Sequence, residues 1–340
     1  MLLAQLMNRK PRVVVIGTGG TIAGHSESPT NLSYDAAQLP VDYLLKSIPQ
    51  LADLAEISTQ NIFSLNSKDM GSSQWLELAR CIQNLVNDSN IDGVVVTHGT
   101  DTLEEAALFL ESTISSRKPV VLTGSMRAST ALSADGPSNL YQAIQVSASV
   151  SARDRGVLVV FNAEIIMGTK VVKGHSIATG AFSASVGGVI GSVYNGHTFF
   201  SIPPGVSPLS GLLGSALKNN NTGWPIIRTH YVTAGETEES LLAIADLDCQ
   251  GIVIVGFGAG EIPDTLLSVV LDKAKQGVYF VISSRVSCCA VMPETMTLGE
   301  CETIIASRHF NPQKSAVLLS LSLCIGLSPL DIFSRAEVEG

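Results

Sequence analysis

Short Val/Ile/Leu runs, each closed by a glycine or a small polar residue, constrain this chain more than any other feature. They are Arg12 to Ile16, Gly93 to Thr97, Pro119 to Thr123, Gly156 to Phe161, Gly251 to Val255 and Val278 to Ser283. An unbroken apolar run of this length buries both faces of a strand, as in a parallel sheet covered by helices on both sides. Between the runs, residues 73–86, 101–115, 138–150, 264–276 and 312–323 repeat apolar positions at three- and four-residue intervals. That spacing predicts amphipathic crossover helices. The fold class is therefore α/β.

At about 150 residues per domain, a chain of 340 residues predicts two domains. The composition shifts at SIPPGVSPLSGLLGSALKNNNTGWP, which begins at Ser201 and is rich in Pro, Gly, Ser and Asn. Such a segment sustains no regular element for long. The expected division is an N-terminal domain over 10–203, a linker over 204–225 and a smaller βα domain over 226–340.

The formal charge of −9 leaves no basic stripe to neutralise a phosphate backbone, so nucleic acid is excluded as an expected partner. The opening MLLAQLMNRK puts apolar residues before basic ones, the reverse of a secretory signal, so export is not expected. The most apolar stretch, Ala316 to Leu327, is broken by serines and a glycine and falls short of the roughly 20 residues that span a bilayer. No membrane segment is expected. The six cysteines (81, 249, 288, 289, 301 and 324) form no CxxC pair, which predicts neither a disulfide framework nor a zinc site. A cytoplasmic location and a site without metal are the expectations.

The candidate chemistry lies in loops that follow strands. The first run ends in Gly17-Thr18-Gly19-Gly20-Thr21-Ile22-Ala23-Gly24. Glycines at the carboxyl end of a parallel strand let backbone N–H groups approach an anion. The polar HSESPTNLSY that follows is not the helix a dinucleotide fingerprint needs. After Thr97, His98-Gly99-Thr100-Asp101-Thr102 leads into a helix containing Glu104 and Glu105. Asp101 there is either an N-cap, the commoner role, or a ligand for a cation. His98 reads as a packing histidine. Gly124-Ser125-Met126-Arg127, Ser133 to Pro137 and Lys173 complete the set. Lys173 beside a hydroxyl could act in proton transfer, or it could lie on a solvated face.

Together these segments resemble the bacterial L-asparaginase and glutaminase-asparaginase family, closest to its type II branch. The resemblance is carried by TGGTIAG (Thr18 to Gly24), VVVTHGTDTLEE (Val94 to Glu105), PVVLTGSMR (Pro119 to Arg127), SADGPSNLY (Ser133 to Tyr141), RGVLVVFN (Arg155 to Asn162), SSRV (Ser283 to Val286) and NPQKSAVLL (Asn311 to Leu319). It implies a two-domain α/β fold and a homotetramer whose active sites are completed by neighbouring subunits. The implied reaction is hydrolysis of L-asparagine to L-aspartate and ammonia without a cofactor, with some glutaminase activity.

By the same resemblance Thr21 is the nucleophile and Tyr34 its activator, while Thr100, Asp101 and Lys173 form the second catalytic group. Ser67 and Asp101 hold the substrate's α-carboxylate and α-ammonium, and backbone N–H groups of Thr100 and the Ser125 loop hold the oxyanion. Lys68 departs from the family, which has glutamine or glutamate there, and Glu261 stands where it has asparagine or serine. Spacing puts Met296 where the family contributes an acidic residue, with Glu294 two positions away. Either Glu261 or Glu294 offsets Lys68 and L-asparagine remains the substrate, or Lys68 favours an ω-amide lacking a free α-ammonium. A catalytically silent binding protein is the alternative from another class.

Overall fold

All six apolar runs form strands. The computed structural model describes residues 9–30, 35–185, 187–218, 223–288 and 290–335. Two compact units meet in sequence between Gly211 and Leu212.

In the first unit the elements follow as β1 (Arg12–Gly19), α1 (Val41–Lys46), α2 (Leu51–Leu54), β2 (Glu56–Leu65), α3 (Ser72–Asn87), β3 (Gly93–Thr97), α4 (Leu103–Thr113), β4 (Val120–Thr123), α5 (Gly136–Ala148) and β5 (Val157–Phe161). Then come β6 (Glu164–Met167), β7 (Val171–Lys173), β8 (Phe182–Ala184), β9 (Val189–Tyr194) and β10 (His197–Phe200). Eight of these strands form one sheet, ordered β10-β9-β6-β5-β4-β3-β1-β2. From β2 to β5 neighbours are parallel. From β5 to β10 they are antiparallel, a mixed edge that the apolar runs did not announce.

Val13, Val15, Val95, Val121 and Leu158 point into a core shared with Val41, Leu44, Leu140 and Ile144 of α1 and α5. The alternate residues, Val14, Ile16, Val94 and Val96, are as deeply buried on the other face, where α3 and α4 lie. Each fully buried aliphatic side chain contributes roughly 1.5–3 kcal/mol of hydrophobic stabilisation. The period-two alternation of a strand directs these side chains to both faces at once, which accounts for the unbroken apolar runs.

Two features of this sheet position a site. Gly17 pairs with Thr97, and Thr97 with Thr123, so β1, β3 and β4 end level with one another. The order 2-1-3-4-5 also reverses direction at β1, and the crevice between β1 and β3 is the topological switch point where open α/β sheets bind ligands.

The second unit holds β11 (Ile227–Tyr231), α6 (Glu238–Ala245), β12 (Gly251–Gly256), α7 (Asp264–Lys275), β13 (Tyr279–Ser284), β14 (Ile304–Ala306), α8 (Pro312–Cys324) and α9 (Pro329–Arg335). Its four strands are all parallel and lie in chain order, without a reversal. The 204–225 segment carries a short 3₁₀ helix, Gly214–Lys218. No helix among the described residues is long and apolar enough to cross a membrane.

Candidate active site

At the carboxyl end of the large sheet, three loops touch because two of their residues have no side chain. A Cβ on Gly20 would lie 2.4 Å from the Cα of Gly99, and one on Gly99 would lie 2.5 Å from the hydroxyl of Ser67. Gly20 also has a φ of +76°, open to glycine at little steric penalty. The loop after β1, the loop after β3 and the turn after β2 are thereby drawn together. Thr21 opens the 3₁₀ helix Thr21–Ala23 at this junction and is 7% exposed.

Ser67 begins another short 3₁₀ helix, Ser67–Asp69, and is 1% exposed. Its hydroxyl accepts the backbone N–H of Asp101 at 3.2 Å, and its carbonyl accepts the hydroxyl of Thr102 at 2.9 Å. The Ser67 hydroxyl still has a proton to donate.

Lys173 ends β7, half of a two-stranded ribbon separate from the main sheets. Phe182, opposite Lys173 in that ribbon, packs its ring 4.8 Å from the ring of Phe161 at the end of β5. From there the Lys173 ammonium donates to the Thr100 hydroxyl at 3.0 Å and to the Asp101 carboxylate at 2.7 Å. Its side chain is only 19% exposed, against 56% for Asp101. The solvated-face reading of Lys173 is thus overturned. So is the capping role for Asp101, since Thr102 holds the N-cap position of α4 and the Asp101 carboxylate faces a cation.

His98 is completely buried, and its Nδ1 lies 2.8 Å from the Gly99 carbonyl. Burial pushes its imidazole from the ordinary 6.5 down to about 4, so the ring is neutral near pH 7 and donates through Nδ1–H. It serves the loop as a packing residue, as its sequence setting indicated.

The Ser125 loop is fastened from below. The Ser125 hydroxyl donates to the Arg127 carbonyl at 2.7 Å, and Asp135 accepts the N–H groups of Met126 and Arg127 at 2.9 and 3.0 Å. Asn139 donates to both the Gly124 carbonyl and Asp135. Ser125 therefore turns its hydroxyl into its own loop, and the Met126 and Arg127 amides are already engaged.

Lys68 has its partner next door. Its ammonium lies 2.8 Å from both oxygens of Asp69, in a pair whose side chains are 63% and 56% exposed. The two carboxylates named from the sequence, Glu261 and Glu294, belong to the second unit. There Glu261 accepts the Thr297 hydroxyl at 3.3 Å, and Glu294 is exposed in the 3₁₀ helix Pro293–Thr295. Met296 is 8% exposed within the apolar core of the second unit, which leaves it no polar role. Tyr34 lies outside the described residues.

Sequence reasoning passed over the work of three carboxylates: Asp69 on Lys68, Asp135 on the Ser125 loop, and Glu104, which accepts the Lys173 backbone N–H at 3.0 Å. Their adjacency to motif residues was visible, but their partners were not. Among the described residues no group of His, Cys, Asp and Glu is arranged to hold a metal ion.

Comparison with known proteins now bears on this geometry. Residues 12–204 match the family description "Asparaginase, N-terminal", and residues 227–333 match "Glutaminase/Asparaginase C-terminal domain". L-asparaginase 2 of Escherichia coli is 35% identical over 322 residues, covering 95% of this chain and 91% of its own. A glutaminase-asparaginase of Acinetobacter glutaminasificans is 36% identical over 316 residues, covering 92% and 95%. Among solved structures, a probable cytoplasmic L-asparaginase from Campylobacter jejuni superposes with a TM-score of 0.86 at 38% identity, covering 96% of this chain and 99% of that one.

Proposed function

The chain belongs to the asparaginase family, and from that premise we propose that Thr21 is the nucleophile of an L-asparaginase reaction. The enzyme is an amide hydrolase that converts L-asparagine to L-aspartate and ammonia, and glutaminase activity is compatible with its relatives. The Thr21 hydroxyl attacks the side-chain amide carbon, its proton leaving to a base, and ammonia departs to leave an aspartyl ester on Thr21. Water then cleaves the ester. A covalent intermediate divides one difficult amide hydrolysis into two smaller barriers. Tyr34 is the base that the resemblance assigns to the first step.

The observation that carries this reading is the contact of the Lys173 ammonium with the Thr100 hydroxyl and the Asp101 carboxylate, set beside the glycine-joined loops of Thr21 and Ser67. Lys173 and Thr100 pass protons to and from the water that cleaves the ester. Asp101 and Ser67 hold the α-substituents of the substrate. Backbone N–H groups at Thr100 and in the Ser125 loop stabilise the oxyanion, each worth about 3 kcal/mol in such sites. Met126 and Arg127 are engaged by Asp135, which narrows the contribution of that loop.

Asp69 neutralises Lys68 within one turn of chain, which favours L-asparagine with a free α-ammonium over an amide lacking one. Assembly into a tetramer is part of the same reading. It is supported by the exposed Val189, Tyr194, Phe199, Ile202 and Val206 on and after the β9–β10 hairpin, an apolar surface of the kind that subunits cover. Glu261 would then contribute to a neighbouring copy's site. A cytoplasmic location fits Cys81, Cys249, Cys288 and Cys301, which form no disulfide among the described residues.

Acid quenching of the enzyme during turnover of L-asparagine, followed by peptide mass spectrometry, tests the nucleophile. An aspartyl adduct on the peptide containing Thr21, absent from Thr21→Ala, is the expected result. An adduct on another residue overturns the assignment.

A further inference from the structure

Lys173 reaches its partners from a three-residue strand in a ribbon of its own, so something must fix where that strand ends relative to Thr100. The structure places Glu104 at this point. It sits in the first turn of α4, it is 4% exposed, and it accepts the backbone N–H of Lys173 at 3.0 Å. A carboxylate is favoured at a helix N-terminus, where the unpaired amides of the first turn carry partial positive charge. The helix thus holds the carboxylate, and the carboxylate holds the strand.

The lysine is gripped at both ends by one stretch of chain. Its ammonium meets Thr100 and Asp101, its backbone amide meets Glu104, and all three belong to the five residues 100–104. A lysine stem has four rotatable carbons, and with a loose backbone its ammonium would be held on Thr100 by the contacts at its tip alone, against the entropy of the stem. Fixing the backbone as well removes that freedom. Loss of alignment by about 1 Å at a reacting group can lower a rate by roughly a hundredfold.

We infer that Glu104 is a positioning residue for the hydrolytic reaction, acting through the Lys173 backbone amide to hold the Lys173 ammonium on Thr100. The inference rests on the catalytic reading of Lys173. What it assigns to Glu104 is the reach of its side chain from the first turn of α4 to the Lys173 backbone N–H.

Two conservative variants separate reach from charge. Glu104→Gln keeps an oxygen acceptor at the same distance and removes the charge, and it should retain kcat for L-asparagine within about threefold. Glu104→Asp keeps the charge and withdraws the acceptor by one methylene, and it should lose kcat by roughly 10- to 100-fold with KM changed less than threefold. A merely structural role would leave kcat per folded molecule intact in both. Full kcat in Glu104→Asp, or a large kcat loss in Glu104→Gln with Glu104→Asp unaffected, overturns the inference. Amide hydrogen exchange in the unaltered enzyme adds a test free of folding artefacts. The Lys173 amide should be protected, and exchange at the rate of an unbonded amide overturns the inference too. Lys173→Met distinguishes the underlying reading: activity surviving in that variant removes the catalytic role of Lys173 itself, whereas its loss alongside a fully active Glu104→Asp removes only the role of Glu104.

Discussion

At the carboxyl end of the eight-stranded sheet, side chains meet side chains: Lys173 with Thr100 and Asp101, and Lys68 with Asp69. At the same end of the four-stranded sheet, the Thr297 hydroxyl meets the Glu261 carboxylate, and other hydroxyls turn to loop carbonyls. The Ser284 hydroxyl donates to the Gly258 carbonyl at 2.6 Å, and the Thr295 hydroxyl to the Ala259 carbonyl at 3.1 Å. The glycines differ in the same sense. Gly20 and Gly99 let separate loops touch, whereas a Cβ on Gly256 would meet the Glu261 carbonyl of its own loop at 2.6 Å. Both sheets are built from parallel βα units, yet only the first has a strand-order reversal to open a crevice. A shared architecture therefore does not imply a shared site. The site needs the reversal, level strand ends and loops close enough for ionisable groups to pair.

The sharpest break of this contrast is Thr21→Ala. It should lower kcat on the order of 10⁴-fold or more, as loss of a nucleophile does elsewhere. The thermal midpoint should stay nearly unchanged, because the residue lies in a loop junction. Ammonia release that persists above a few per cent of the unaltered rate would remove Thr21 from the reaction.

The two sheets also differ in their buried histidines. Burial depresses both, but His230 at β11 has the Glu236 carboxylate 3.7 Å away to oppose the shift, whereas among the described residues the hydrogen bond to the Gly99 carbonyl is what opposes it at His98. An unfolded imidazole binds its proton near 6.5, and folded His98 binds one only near 4. Between those values the unfolded chain carries the extra proton, so acidification favours unfolding. The expected loss attributable to His98 is on the order of 3 kcal/mol from pH 6.5 to below 4. Urea unfolding across that range should show it, and His98→Gln should flatten the dependence.

Gly99→Ala tests whether close loop approach is what gathers the first site. The added Cβ would sit 2.5 Å from the Ser67 hydroxyl and 2.7 Å from its Cβ. Overpacking of this kind costs about 1–3 kcal/mol. Displacement of Ser67 and Asp101 should raise KM for asparagine several-fold along with the loss of stability. Unchanged KM in a folded variant would separate loop approach from substrate binding.

The smallest effects concern Lys68 and Asp69. An exposed pair of this type contributes about 0.2–1 kcal/mol. Lys68→Gln should therefore lower KM by no more than a few-fold, with kcat held. Asp69→Asn uncovers the lysine and should move KM the other way. If each change leaves KM untouched, the pair lies outside the reach of the substrate.

Much of this was legible in the residues. The Val/Ile/Leu runs located β1, β3, β4, β5, β12 and β13, because a strand buried on both faces must be apolar throughout. Strand β2 escaped notice because EISTQNIFSL lies at the sheet edge with half its residues exposed, and no continuous apolar run marks it. The antiparallel strands β6 to β10 went unseen because none spans more than six residues.

The threonine motifs by themselves determined the family and drew attention to Thr21, Thr100, Asp101 and Lys173, since loops that serve chemistry keep particular residue types in a particular order. Tertiary structure alone decided what those residues touch. Asp101 faces a lysine rather than capping a helix, and Glu104 reaches an amide 69 positions away. Lys68 finds a counter-charge in Asp69. The physical reason is one of range. Burial repeats along the chain with the period of a strand or helix and can be read locally, whereas a hydrogen bond is settled within about 3 Å, by strand order, register and the glycines that let loops approach.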